Sequence, residues 1–167
     1  DPIHPQRRRL LAGAAALAAM TAGAFPPIPA RATQPAITSQ PFGENTWAGL
    51  LKGGPRPAAY LFTNTWCATC PAAFAKIKAH VDRHTDQPVE LALVIMDADD
   101  EQARHHMRHY AGATRLYIFD GFAPAIRETI DPDWPDVTPY IVLLDKTGAA
   151  QTCIGPPSAA MLAKWLP

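Results

Sequence analysis

Two cysteines separated by two residues, in Trp66-Cys67-Ala68-Thr69-Cys70-Pro71, are the side chains of this sequence best placed for chemistry. They follow an apolar run, Ala58-Ala59-Tyr60-Leu61-Phe62, and open a helical pattern. A thiolate at the first turn of a helix faces unpaired backbone N–H groups and the positive end of the helix dipole, so its pKa falls. A second thiol one turn on can attack a mixed disulfide formed by the first. Such a pair exchanges two electrons with another dithiol or disulfide. Cys-x-x-Cys is also half of a zinc site, but a zinc ribbon needs a second pair, and the one remaining cysteine is Cys153.

The elements that must hold this pair can be read from periodicity and punctuation. Residues 33–41, with Pro35 and Pro41, read as a lead-in. Gly43 to Lys52 is expected as a short helix with Trp47, Leu50 and Leu51 inward, stopped by Gly53-Gly54-Pro55. Ala58–Phe62 is a buried strand by its unbroken apolar character. Cys67 to His84 follows as a helix with Phe74, Ile77 and Val81 on one stripe, where Pro71 is tolerated in the first turn. Val89 to Met96 is the next strand. Asp97, Asp99 and Asp100 then cap a helix reaching about Tyr110 and ended by Gly112. Thr114–Phe119 is a third strand and Gly121–Ile130 a third short helix. After a loop from Asp131 to Asp136, Tyr140–Leu144 and Ala149–Ile154 form a hairpin around Asp145-Lys146-Thr147-Gly148. Ser158 caps a last helix ending near Leu166. Alternating β and α units closed by a hairpin and a helix give an α/β fold, a three-layer sandwich on a mixed sheet.

Residues 1–32 read as an export signal rather than as part of the fold. Arg7-Arg8-Arg9 precedes the alanine-rich run Leu10–Met20, then Pro26-Pro27, Pro29 and the small-residue site Ala30-Arg31-Ala32. The apolar run is shorter than the ~20 residues of a membrane span. Arg7-Arg8 resembles a twin-arginine signal, with an ordinary secretory signal or a retained N-terminal anchor as the alternatives. Residues 33–167 then form one domain. Without Arg7, Arg8, Arg9, Arg31 and Asp1, the 15 basic and 15 acidic residues become 11 and 14. That balance argues against nucleic acid as a partner and against a polybasic membrane surface. Export would place the cysteines where disulfides persist.

Trp-Cys-x-x-Cys after a buried strand, with Thr138-Pro139 opening a strand far downstream, resembles the thioredoxin superfamily. Asp145-Lys146-Thr147-Gly148 matches its hairpin turn, and Cys153-Ile154-Gly155 the end of its edge strand. About forty residues between Met96 and Thr138 hold an inserted helix, strand and helix. That segment resembles the exported TlpA/ResA/DsbE-like branch. The resemblance implies a thioredoxin-like α/β/α sandwich over most of residues 42–166 and a redox centre made of sulfur alone, with no cofactor and no metal. Cys67 would be the exposed nucleophile, Cys70 the buried resolving thiol, and Trp66 a shield on one side of the disulfide. Pro139 would be cis, with Thr138 offering its backbone to a substrate peptide that adds like a short strand. The residues alone would also permit an ordinary strand-initial proline there.

Resemblance further implies a periplasmic protein disulfide reductase. In such families the partners are exported disulfide-containing proteins, among them apocytochromes awaiting haem and copper-site assembly proteins. A membrane electron donor regenerates the dithiol. The alternatives are an oxidant that introduces disulfides and a thioredoxin-fold metal chaperone. The chain departs from the family at Leu61, where thioredoxins carry a buried acid six residues before the first cysteine. The usual proton acceptor for Cys70 is therefore missing, and Thr63, Asn64 and Thr65 are the polar residues near the motif. His80/His84 and His105/His109 are paired at helical spacing, as metal ligands can be, but interleaved Arg104 and Arg108 suit a solvated face. Cys153 reads as a packed strand residue, the acidic run 97–101 as caps and surface charge, and Trp134 as either a loop anchor or part of a substrate groove.

Overall fold

An unbroken apolar strand has to be covered on both faces, and β2 (Ala58–Thr63) and β3 (Glu90–Ile95) occupy the middle of a six-stranded sheet for that reason. The computed structural model describes residues 37–84 and 86–167. The export segment expected at 1–32 lies outside them. In chain order the other elements are β1 (Ser39–Phe42), α1 (Thr46–Gly53), α2 (Cys70–Val81) and α3 (Asp100–His106), which a 3₁₀ turn at Met107–His109 extends. There follow β4 (Arg115–Phe119), α4 (Ala123–Ile130), β5 (Tyr140–Leu144), β6 (Ala150–Ile154) and α5 (Ala159–Trp165). The strands lie in the order β1-β4-β3-β2-β5-β6. The first four run parallel, whereas β5 pairs antiparallel with both β2 and β6. The sheet is therefore mixed, as expected.

Side-chain alternation divides the core into two layers. Ala59, Leu61, Leu93, Ile95, Ile141 and Leu143 face α2, α3 and α5, where they meet Cys70, Phe74, Ile77, Ala103, Leu162 and Trp165. Ala58, Tyr60, Phe62, Val94 and Val142 face the opposite way, toward Trp47 of α1 and Ile126 of α4. This second layer is aromatic. Phe62 sits at its centre, with ring centroids 5.8 Å from Phe42, 5.3 Å from Trp134 and 6.3 Å from Trp47. The inserted helix–strand–helix is α3-β4-α4, and its strand fits between β3 and β1. Among the described residues, no helix is long and apolar enough to cross a membrane.

Three expectations need correction, and one feature was not anticipated. The lead-in contains a strand, β1, whose Gln40 and Pro41 pair with Tyr117 and Ile118. It lies at the sheet edge, where a proline's missing N–H costs no ladder bond on the solvent side. The helix expected from Cys67 begins at Cys70, with Thr69 as its N-cap residue. Leu51 points outward with 39 % of its surface exposed, whereas Trp47 is buried. A second cis peptide bond, at Arg56–Pro57, accompanies that at Thr138–Pro139. Other local signals behave as expected. Asp99 caps α3 through a reciprocal capping box with Gln102, and Ser158 Oγ accepts the Met161 N–H at 3.1 Å. Gly112, at φ +90°, ends the α3 segment in a left-handed conformation.

Phe62 tests the importance of the aromatic layer. Phe62→Ala is expected to cost about 3–5 kcal/mol of unfolding free energy, measured by denaturant titration of the disulfide-bonded protein.

Candidate active site

The chain leaves β2 at Thr63 and turns through Asn64, Thr65 and Trp66 before α2 begins. Polar contacts fix this turn. The Cys67 N–H donates to the Asn64 carbonyl at 3.2 Å, and Met96 N–H donates to the Thr63 carbonyl at 3.0 Å. Thr65 donates twice to one carboxylate, its N–H to Asp97 Oδ1 at 2.8 Å and its hydroxyl to Asp97 Oδ2 at 2.9 Å. Asp97 is therefore a strut for the approach to the cysteines rather than a helix cap. Parallel pairing explains its position, because Thr63 lies opposite Ile95 and both chains leave the sheet at the same end.

Cys67 and Cys70 form a disulfide with S–S 2.05 Å and Cα–Cα 5.5 Å. Cys67 retains 7 % of its surface, and Cys70 none. The difference follows from position: Cys67 precedes the helix, whereas Cys70 is its first residue and faces Ala59, Leu61 and Phe74. Unpaired N–H groups and the dipole of the twelve-residue α2 favour negative charge at its start. The polar side-chain contact of the Cys67 sulfur is with Thr69 Oγ1, at 3.8 Å.

Thr138–Pro139 reaches the same place from the other side. Phe62 pairs with Tyr140 at the end of the β2–β5 ladder, so the residues before Tyr140 run alongside those after Phe62. Asn64 Nδ2 donates to Thr138 Oγ1 at 3.3 Å and thereby joins two segments 74 positions apart. The Pro139 carbonyl accepts the Gly155 N–H at 2.9 Å. Trp134 settles into the core as the anchor of the preceding loop. It stacks on Tyr140 at 4.3 Å and donates its indole N–H to the Val137 carbonyl at 3.0 Å. The Tyr140 hydroxyl donates to Asp131, and Arg127 pairs with Asp136 at 3.0 Å, which fixes both ends of the loop. Trp66 is the contrast, with 77 % of its surface exposed directly before Cys67. Val137 and Ile154 are also exposed at this end of the sheet.

The remaining sequence candidates lie apart from the disulfide or are already engaged. His80 is buried, its Nε2 bonded to the Leu166 carbonyl at 2.8 Å, and His84 Nδ1 bonds to the His80 carbonyl. His105 contacts the Arg108 guanidinium. No group of three or more His, Cys, Asp or Glu side chains is arranged to hold a metal among the described residues. Cys153 is half-buried, its Sγ 3.6 Å from the Gly155 carbonyl. Burial pushes its thiol pKa up, against a smaller opposing effect of Lys76. Residues the sequence did not mark as a set are Asn64, Asp97, Tyr110 and His106. A polar stretch between a buried strand and the cysteines was the visible signal for Asn64; Asp97, His106 and Tyr110 follow β3 and carried none.

The fold has known counterparts. A thiol:disulfide interchange protein of the thioredoxin family from Chlorobium tepidum TLS is similar at 15 % identity over 71 % of this chain and 81 % of its own, with TM-score 0.52. A thioredoxin-related protein from Neisseria meningitidis serogroup B matches at 15 % identity over 69 % and 86 %, with TM-score 0.52. The thioredoxin domain of a thiol-disulfide oxidoreductase from Bacteroides vulgatus matches at 13 % identity over 70 % and 79 %, with TM-score 0.50. No protein-family model matches the chain, and neither does the sequence of any curated protein. These likenesses define the architecture as thioredoxin-like. Within it, a Cys-x-x-Cys disulfide lies at a helix N-terminus beside a cis-proline loop.

The burial difference gives a direct test of the sulfur roles. After reduction of the folded protein, limiting iodoacetamide is expected to label Cys67 first, with Cys70 and Cys153 labelled slowly, as read by peptide mass mapping.

Proposed function

We propose that this protein is a thiol–disulfide oxidoreductase that reduces disulfides in exported partner proteins. The observation that carries this reading is a disulfide at the start of α2, joined through Asn64 to Thr138–Pro139; Cys67, expected as exposed, is itself buried but keeps 7 % of its surface where Cys70 keeps none. In the reduced protein, Cys67 thiolate attacks one sulfur of a partner disulfide. The partner's S–S bond breaks, its other sulfur leaves as a thiolate, and a Cys67–partner disulfide forms. Cys70 then attacks the Cys67 sulfur, which breaks the mixed disulfide and releases the second partner thiolate. Two electrons have passed to the partner, and Cys67–Cys70 is again a disulfide.

In this reading Thr138 and Pro139 receive the partner strand. An extended segment laid along Thr138 would bring its disulfide toward Cys67, with Trp66 covering one side. We read the sequence around Cys67 as that of a reductant. Its neighbours Ala68 and Thr69 bring no cation, so the thiolate is stabilised less than in strong oxidants. Residues 1–32 support a periplasmic site of action. There, apocytochromes and copper-site assembly proteins are the partner classes expected, and a membrane electron donor would restore the dithiol.

Reduction of insulin or of a disulfide peptide tests the activity. Cys67→Ser is expected to fall to background, and Cys70→Ser to accumulate a mixed disulfide visible on a non-reducing gel. Equal turnover by Cys67→Ser would overturn the assignment. Equilibration with glutathione tests the direction. A potential below about −180 mV is expected, whereas a value near about −120 mV belongs to a disulfide-introducing oxidant.

A further inference from the structure

Resolution by Cys70 has a proton balance as well as an electron balance. A thiol that attacks the Cys67 sulfur must lose its proton, and the proton must come back when the disulfide is next reduced. Cys70 has no solvent-exposed surface. Leu61, which packs in the same layer, offers no acceptor. The buried polar or charged residues among those described are Thr63, Asn64 and His80. His80 is bonded to the Leu166 carbonyl and lies near the far end of α2. Thr63 and Asn64 remain at the cysteine end.

Thr63 shares the odd-numbered face of β2 with Ala59 and Leu61, the face that packs against Cys70. Its hydroxyl lies 3.2 Å from Tyr110 OH, and Tyr110 OH lies 3.4 Å from His106 Nε2. The Tyr110 ring meets Phe74 edge-on at 5.5 Å, one helical turn along α2 from Cys70. His106 lines an open cleft of about 650 Å³ with Thr65, Asp99, Glu101, His105 and His109. The line of hydroxyls thus starts in the cysteine layer and ends on an imidazole that meets water.

We propose that Thr63, Tyr110 and His106 form the route by which the Cys70 proton reaches solvent, with His106 as the group that exchanges it. This rests on the thiol-exchange reading of Cys67 and Cys70. For outward transfer, Thr63 turns its proton from the Asn64 carbonyl, which it meets at 3.2 Å, to Tyr110, and Tyr110 donates to His106 Nε2, the imidazole being neutral with its own proton on Nδ1. The Cys70 proton passes to Thr63 as each hydroxyl hands its own proton onward, and His106 becomes imidazolium. The Cys70 thiolate attacks the Cys67 sulfur, the partner thiolate departs, and His106 loses its proton to water in the cleft. Burial holds the Tyr110 phenol neutral, despite an opposing hydrogen bond from Thr63. His106 is pulled below its ordinary 6.5, first by burial and then by His109, with His105 acting the same way and Asp97 opposing. Asp99 and Glu101 are the other charged groups of its cleft. The imidazole is thus neutral and ready to accept at neutral pH.

The test isolates resolution from substrate choice. Reduced protein carrying Cys153→Ala is mixed with 5,5′-dithiobis(2-nitrobenzoate), and thiolate release is followed by stopped flow. The concentration-dependent phase is attack by Cys67 and reports that the site has folded. The concentration-independent phase is displacement by Cys70. Tyr110→Phe, Thr63→Val and His106→Gln are each expected to slow that second phase by about 10²-fold, the low end for positioned proton transfer. In the parent it should also fall as pH drops through a midpoint below 6.5, where His106 becomes charged and can no longer accept. His106→Gln should remove that inflection, which a merely structural role would leave in place. Resolution at the parental rate in all three variants, or an inflection that survives His106→Gln, overturns the proposal. Failure of the parent to reduce insulin while these signatures are present overturns the protein-substrate reading alone.

Discussion

The pairing of Phe62 with Tyr140 is the constraint on which the site depends. It ends the β2–β5 ladder and sends two chain segments out of the sheet side by side, one toward Cys67 and the other arriving from Thr138. Asn64 then holds them together, through its backbone carbonyl to Cys67 and its side chain to Thr138. Neither segment could be placed by its own residues. Phe62 and Tyr140 keep their register because both are buried in the aromatic layer with Trp47 and Trp134. A slip by one residue would turn each of those side chains to the wrong face. Packing on one side of the sheet thus sets chemistry at its end.

Legibility of the fold in the sequence followed the strength of each local signal. β2 and β3 could be read because their apolar runs are continuous, and β5 with β6 because Asp145-Lys146-Thr147-Gly148 separates them. The strand β1 was hidden because Ser39, Gln40 and Pro41 carry no strand periodicity. It becomes a strand through its neighbour β4, which is tertiary information. The start of α2 was misplaced because Cys67 to Thr69 contain nothing that forbids helix. The chain is diverted there by bonds from Asn64 and Asp97, which lie outside the helix.

The cysteines and Thr138–Pro139 were legible as types of residue with a known chemistry. Their support was not. Asp97 looked like one of several acids before a helix, and its carboxylate turns out to hold Thr65 because β3 and β2 run parallel and end together. Tyr110 looked like the last residue of a helix, and its hydroxyl reaches Thr63, 47 positions earlier. Trp134, for which the sequence allowed two roles, stacks on Tyr140 and steadies the loop from within. Such contacts depend on the register of distant strands, which no local pattern encodes.

Cys70 belongs to the disulfide and to the hydrophobic core at once. Its reduction therefore changes what Phe74, Ile77 and Leu61 pack against. By a thermodynamic cycle, any difference in folding free energy between the two oxidation states is also a difference in the disulfide's reduction potential. For a two-electron couple, about 1.4 kcal/mol of such preference equals about 30 mV. Substitutions in this layer would thus shift the disulfide's reduction potential without replacing either cysteine.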